Sequence, residues 1–307
     1  MVLIAILLLS SIASSASLPL KENGKIQPRM IQKPAIHPAS FDSFKQMASK
    51  VLDTNEFIFG GRVAREGQIP MQAALIYNDT SDDNLHICGG TLISPTHILT
   101  AGHCIVTMTA PAKIMVGGVN VRQNSSSTQW REIHSIYTHT DYDDNDPNVF
   151  NDIGIVEFSP AVELNNYVKL ATILKNDDSL LKKGKGVASG YGVYKFNGNV
   201  SVSSSELRHV GLTIYSFAYC AQARPNTVLS YNQFCAGGKG VGMGSGDSGG
   251  PIQAVTAGKL VQLGIASYAA ANAAVYDKQD KYPVVFTRVS HYCDYIEKVT
   301  NEEAKCQ

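Results

Sequence analysis

Gly246-Asp247-Ser248-Gly249-Gly250-Pro251 is the stretch on which the reading of this 307-residue chain turns. A serine hydroxyl is a weak nucleophile, so acyl transfer through it needs a base on its proton and donors aimed at the oxyanion that develops on the carbonyl. Glycines flanking Ser248 would let the backbone turn its amides towards one point. A glycine-rich hairpin would have the same composition, so the segment needs partners. Leu99-Thr100-Ala101-Gly102-His103-Cys104 offers an imidazole beside a cysteine able to fix the backbone. Asn151-Asp152-Ile153-Gly154-Ile155-Val156 opens an apolar strand with an acid. Alone that is a strand-start Asp; beside an imidazole it would accept a hydrogen bond, fix the tautomer and stabilise the imidazolium.

Outward from these segments the chain has one pattern from residue 58 onward. Short β-branched and aliphatic runs alternate with Gly, Asn, Asp and Pro: Met71 to Tyr77, Gly90 to Ile93, His97 to Thr100, Lys113 to Val116, Ile153 to Phe158, Gly186 to Ala188, Leu207 to Ile214, Leu260 to Ser267 and Val284 to Val289. Many short strands with turn signals between them predict an all-β sandwich or barrel. His291, Tyr295, Ile296 and Val299 fall near helical spacing and predict a closing helix over about 290–300, followed by a tail at 301–307. Asp141 to Asn151 reads as a solvated acidic loop that needs no calcium.

Before residue 58 the character differs. Met1 to Ser10 is almost wholly apolar and small residues follow to Ser17, the layout of a leader over 1–16 cleaved after Ala16 or Ala13 and too short to span a bilayer. Residues 17–57 carry Lys, Pro, Ser and Asn with scattered apolar positions and no cysteine, which reads as a short pro-segment, with a brief helix around Phe41 to Leu52. Export places Cys88, Cys104, Cys220, Cys235, Cys293 and Cys306 in an oxidising compartment, where an even set of six predicts three disulfides. No pair has zinc-ligand spacing, so no metal is expected. Asn78, Asn124 and Asn199 are glycosylation candidates. Lys plus Arg equals Asp plus Glu at 26 each, which gives no field towards nucleic acid or an anionic membrane.

Together the three segments resemble the trypsin-like serine proteases of the chymotrypsin fold, from Ile58 to about Thr300. Ile58-Phe59-Gly60-Gly61, Cys88-Gly89-Gly90-Thr91-Leu92-Ile93 and Pro283-Val284-Val285-Phe286-Thr287-Arg288-Val289-Ser290 agree with the family as well. The resemblance implies an all-β fold of two six-stranded antiparallel β-barrels, one over about 58–165 and one over about 183–290, with the site between them and a C-terminal α-helix. It implies Ser248 as nucleophile, His103 as general base and then acid, Asp152 as orienting carboxylate, and the amides of Gly246 and Ser248 as the oxyanion hole. It implies a precursor in which a cut before Ile58 frees an ammonium that pairs with Asp247, and disulfides Cys88 to Cys104 and Cys220 to Cys235. Cys293 to Cys306 is then left by elimination. The expected enzyme is a secreted, monomeric serine endopeptidase that takes protein or peptide substrates, needs an activating protease and uses no cofactor. A catalytically silent homologue acting as a binding protein is the alternative. An α/β-hydrolase esterase does not fit, because His103 precedes Ser248 and the elbow motif is absent.

The specificity pocket departs from the common pattern. Gly242 stands where an Asp would select Arg or Lys, and wall positions that are glycine in deep pockets align with Ala269 and Val284. A basic side chain would enter without a counter-charge, so a small aliphatic preference is expected, with Phe or Tyr as the runner-up. The cysteine usual near Gly244 is missing, which implies a looser pocket, and the long loop from Ala270 to Tyr282 could bring in a charge such as Asp277 or Asp280.

Overall fold

Alternation inside the strands explains how one chain fills two barrels and the seam between them. The computed structural model describes residues 28–31, 60–80, 84–197, 200–225, 227–256, 258–270 and 273–307. Two short strands come first, β1 (Arg29–Met30) and β2 (Arg62–Val63). Barrel one follows as β3 (Gln72–Asp79), β4 (Leu85–Ser94), β5 (His97–Thr100), β6 (Met108–Val116), β7 (Gln129–Thr138) and β8 (Gly154–Ser159), with a one-turn helix α1 (Gly102–Ile105) after β5. Strand β9 (Thr172–Ile173) and helix α2 (Asp178–Lys182) lead to β10 (Lys185–Gly190). A side hairpin, β11 (Val193–Asn197) with β12 (Val200–Ser203), precedes β13 (Arg208–Ile214) and helix α3 (Phe217–Ala223). Barrel two is completed by β14 (Gln233–Gly237), β15 (Pro251–Thr256), β16 (Lys259–Tyr268) and β17 (Val284–Arg288), and a 3-10 turn runs into α4 (Cys293–Val299).

Barrel one has the order β7-β6-β3-β4-β5-β8 and closes through β7 to β8; barrel two runs β10-β15-β16-β17-β14-β13 and closes through β10 to β13, all antiparallel. Six strands to each barrel is the architecture the resemblance implies, and β1 and β2 add to the edges of the two sheets. In β3, Ala73, Leu75 and Tyr77 enter the core of barrel one, whereas Ala74 and Ile76 join Met115, Tyr191 and Leu207 in a cluster along the seam. That strand is buried on both faces, which is why its sequence is almost continuously apolar. In β13 Val210, Leu212 and Ile214 point inward and alternate with more exposed neighbours.

The closing helix is shorter than the sequence suggests, because residues Val289–Tyr292 form a 3-10 turn before it. Its Ile296 and Val299, with Tyr292 and Tyr295, pack into the core of barrel one, although the chain reaches α4 from barrel two. Tyr295 Oη donates to the Tyr137 carbonyl at 2.6 Å. Three disulfides form, Cys88 to Cys104, Cys220 to Cys235 and Cys293 to Cys306. Asn124 is exposed and accepts from Trp130 Nε1, and Asn78 lies half-exposed near the end of β3. The leader, the helix expected near 41–52, Phe57, Ile58 and Asn199 lie outside the described residues. No described helix is long and apolar enough to cross a membrane.

Candidate active site

Pairing of β5 with β8 brings His103 to Asp152. Thr100 sits opposite Gly154, so the end of one strand and the start of the other are neighbours, and α1 carries His103 just past that point. The Cys88 to Cys104 bridge ties α1 back to β4. His103 Nδ1 lies 2.8 Å from Asp152 Oδ2, and the His103 amide donates to Oδ1 at 2.9 Å. From barrel two, Ser267 Oγ donates to Oδ2 at 2.5 Å and Thr287 Oγ1 donates to the Asp152 carbonyl at 2.8 Å. An acceptor-only carboxylate opposite Nδ1 puts the proton on that nitrogen and leaves Nε2 as the acceptor.

Asp152 is wholly buried, which alone would push its carboxyl up. The charge of His103 and the donors from His103 and Ser267 outweigh burial and hold it below the usual carboxylate range. For His103 burial pulls down, and the attraction of Asp152, its hydrogen bond and the charge of Asp144 more than offset this, so the ring binds its proton more tightly than an ordinary histidine. Gly102 is fitted to this packing: a Cβ there would lie 3.2 Å from the Tyr142 ring and 3.3 Å from Asp152 Oδ1.

Ser248 lies in the turn between β14 and β15, held against barrel one. Its carbonyl accepts from the Gly89 amide at 2.7 Å, and the next amide, Gly249, donates to the Ala266 carbonyl at 2.8 Å. A Cβ at Gly249 would meet Thr100 Oγ1 at 2.1 Å, so the turn abuts the strand end that leads into α1. Gly246 and Gly249 have φ of +90° and +75°, where a side chain would be strained. No hydrogen bond joins Ser248 Oγ to His103 Nε2; catalytic bonds of this kind often tighten only when substrate is present. The amides of Gly246 and Ser248 are likewise unused within the described residues.

Asp247, between those two, is fully buried and accepts from the Gly192 amide at 2.7 Å and the Gly244 amide at 2.9 Å. Burial pushes its carboxyl up to about 7 despite these bonds. Among the described residues no cation pairs with it. A Cβ at Gly190 or Gly192 would strike the carboxylate at 2.2 or 2.5 Å, which explains both glycines.

Beside Ser248 is a small pocket of about 30 Å³, room for two or three waters, lined by Met243, Gly244, Ala266, Ser267, Tyr268, Ala269 and Val284 together with Asp247 and Ser248. Ala269 and Val284 are thus on its wall. Gly242 is not: a Cβ there would lie 1.9 Å from Oε1 of Gln279, whose amide fills the space beneath. Gln279 is buried, accepts from the Met243 amide at 3.0 Å and donates to the Met243 carbonyl at 2.6 Å. Tyr276 from the same loop packs on Gly244 and accepts from the Ser245 amide at 3.2 Å.

Gln279 and Tyr276 thus tie their loop to the backbone of Met243 and Ser245, and neither Asp277 nor Asp280 lines the pocket. Sequence reasoning did not single out Gln279, which sits in a loop without periodicity, nor assign Ser267 its bond to Asp152. A histidine beside two cysteine sulfurs, His103 with Cys88 and Cys104, has metal-site spacing, yet both sulfurs are spent in the disulfide.

Comparison with known proteins agrees with this geometry. The family model described as Trypsin matches residues 58–296. Chymotrypsin-like elastase family member 1 of Canis lupus familiaris is 31% identical over 251 residues, covering 81% of this chain and 94% of its own. Chymotrypsin-C of Mus musculus is 32% identical over 247 residues, covering 78% and 88%. A trypsin of Tyrophagus putrescentiae is 33% identical over 259 residues, covering 82% and 83%. The chain belongs to the trypsin family and is a serine endopeptidase that acts on proteins or peptides.

Proposed function

We propose that the chain is made as a secreted precursor which, once cut between Phe57 and Ile58, hydrolyses peptide bonds through an acyl-enzyme on Ser248, preferring a small aliphatic residue before the scissile bond. The observation that carries the reading is the Asp152 carboxylate, wholly buried yet kept ionised by two donors from His103 and one from Ser267. Burial of a lone carboxylate is strongly unfavourable, and here the donors that offset it fix the carboxylate with one oxygen on the imidazole. Ser248 Oγ attacks the carbonyl carbon as its proton passes to His103 Nε2. Electrons of the C=O bond move onto oxygen, which accepts from the Gly246 and Ser248 amides. Collapse expels the amine, protonated by His103, and leaves an ester on Ser248. Water then attacks with His103 as base, the acid departs and the serine is restored. Asp152 stays ionised beside the imidazolium throughout.

The need of Asp247 for a counter-charge supports the precursor reading, since the Ile58 ammonium released by the cut would supply it. Phe57 before the bond points to a chymotrypsin-like activator rather than trypsin. A pocket of about 30 Å³, walled by Ala269 and Val284, favours a small side chain, and elastase is the printed name of several relatives. Six paired cysteines and the apolar start of the chain support secretion.

A fluorophosphonate probe on the cut protein tests the chemistry. It is expected to label Ser248 and to leave Ser248→Ala unlabelled, with peptidase activity lost by about a million-fold. Retention of more than about a hundredth of the activity by the alanine variant would reassign the nucleophile. Amino-terminal sequencing of the active form, expected to begin at Ile58, checks the cut.

A further inference from the structure

The short strand β1 belongs to the expected pro-segment, yet it is built into the edge of barrel one. Arg29 and Met30 pair antiparallel with Ile136 and Ser135 of β7, and the Ile31 amide donates to the His134 carbonyl at 3.1 Å. Side chains alternate as a strand requires. Met30 faces outward at 61% exposure, while Ile31 packs against the core of barrel one. The guanidinium of Arg29 reaches inward and donates at 3.0 Å to each of two carbonyls, Ile105 and Met108. The first of these closes α1, the turn that carries His103.

Two features make this more than an edge contact. Among the described residues no carboxylate pairs with the half-buried Arg29 guanidinium, and Nη2 finds both of its acceptors in backbone atoms fixed by barrel one. All six cysteines are paired within residues 88–306, so no disulfide holds the segment. Main-chain pairing with alternate side chains seated in the receiving surface is the way a separate extended peptide binds a sheet edge. The β1 contacts have that form already.

We propose that residues 28–31 are a noncovalent anchor by which the pro-segment stays on barrel one after the chain is cut, with Arg29 as its main holding contact. The inference rests on the precursor reading above for its biological setting. Retention of the segment would keep the β7 edge covered and the Ile105 carbonyl capped in the active enzyme.

The test uses the full precursor with a recognition site for a sequence-specific protease introduced between residues 40 and 50, so that the cut does not depend on the natural activation bond. After cleavage, native gel filtration with mass spectrometry of the protein peak is expected to find the amino-terminal fragment with the barrels, and denaturant to release it. Arg29→Ala is expected to weaken retention at least about tenfold, the loss typical of one charge-assisted hydrogen bond. Met30→Ala, which removes a largely exposed side chain and one contact from Ser135 Oγ to its sulfur, is expected to weaken retention far less than Arg29→Ala. A wild-type fragment eluting alone, or Arg29→Ala retaining it as well as wild type, would overturn the proposal. Amide exchange at Ile31 needs no variant: slow exchange persisting after the cut supports the anchor, and exchange at the rate of a free peptide refutes it. Failure of the precursor reading would register separately, as peptidase activity already full before any cut and no new terminus at Ile58.

Discussion

On the proposed mechanism, the interaction between His103 and Asp152 sets the acid limb of activity. Because His103 holds its proton above the ordinary value of 6.5, kcat/KM should fall on acidification with a midpoint above that value. Asp152→Asn removes the charge and one acceptor; the rate should drop by about ten thousand-fold and the midpoint should move down. An unchanged midpoint in that variant would mean the imidazole is not the titrating base. Gln279 makes a second residue-scale prediction. Gln279→Ala takes the amide from beneath Gly242 and should raise kcat/KM for Leu or Phe relative to Ala substrates by about tenfold or more. It should also destabilise the fold by about 1–3 kcal/mol, since the Met243 amide and carbonyl lose their partner. Gly242→Asp alone should not create an Arg or Lys preference, because the new side chain must displace that amide first. A matched peptide series differing only at the residue before the scissile bond checks both variants.

Elements were legible where the chemistry is local and hidden where it is tertiary. Each of the nine runs read as strands from sequence overlaps a strand. Strand β7 escaped, because a bulge between Ile133 and Ser135 breaks its alternation and polar residues crowd its first half. Strands β14 and β15 escaped as well: one is five residues long, and the other begins at Pro251, directly after the glycine-rich turn. His103, Asp152 and Ser248 could be singled out since each sits in a contiguous motif. Nothing contiguous marks Gln279, whose role exists only because its loop folds under Gly242. That loop is moored at a distance: Arg224, after α3, donates to the Pro283 carbonyl and lies 5.0 Å from the Tyr268 ring centre. Arg224→Ala should therefore raise KM by a few-fold or more with a smaller change in kcat, as uniform substrate binding is lost from a slackened pocket. Equal losses in kcat and kcat/KM would place the effect on the transition state instead.

At the scale of the molecule, the uncut chain carries a carboxyl at about 7 that would titrate at 3.8 in an unfolded chain. Between those values the folded form binds the extra proton, so stability falls as pH rises through the window, by roughly 4 kcal/mol at most. His103, raised above 6.5, adds a slope of the same sign whether or not the chain is cut. The difference between the two forms therefore isolates Asp247: melting temperature from pH 5 to 8 should decline more steeply in the precursor than after the cut. Equal slopes would argue against an ammonium arriving at Asp247. The placement of α4 bears on how the molecule is made. Barrel one leaves the ribosome first, yet Tyr295, Ile296 and Val299 of its core follow the last strand of barrel two in the chain. Domains usually fold in the order of synthesis; here the earlier barrel is expected to complete its core only after the strands of the later one have been made, since one wall is filled from beyond them.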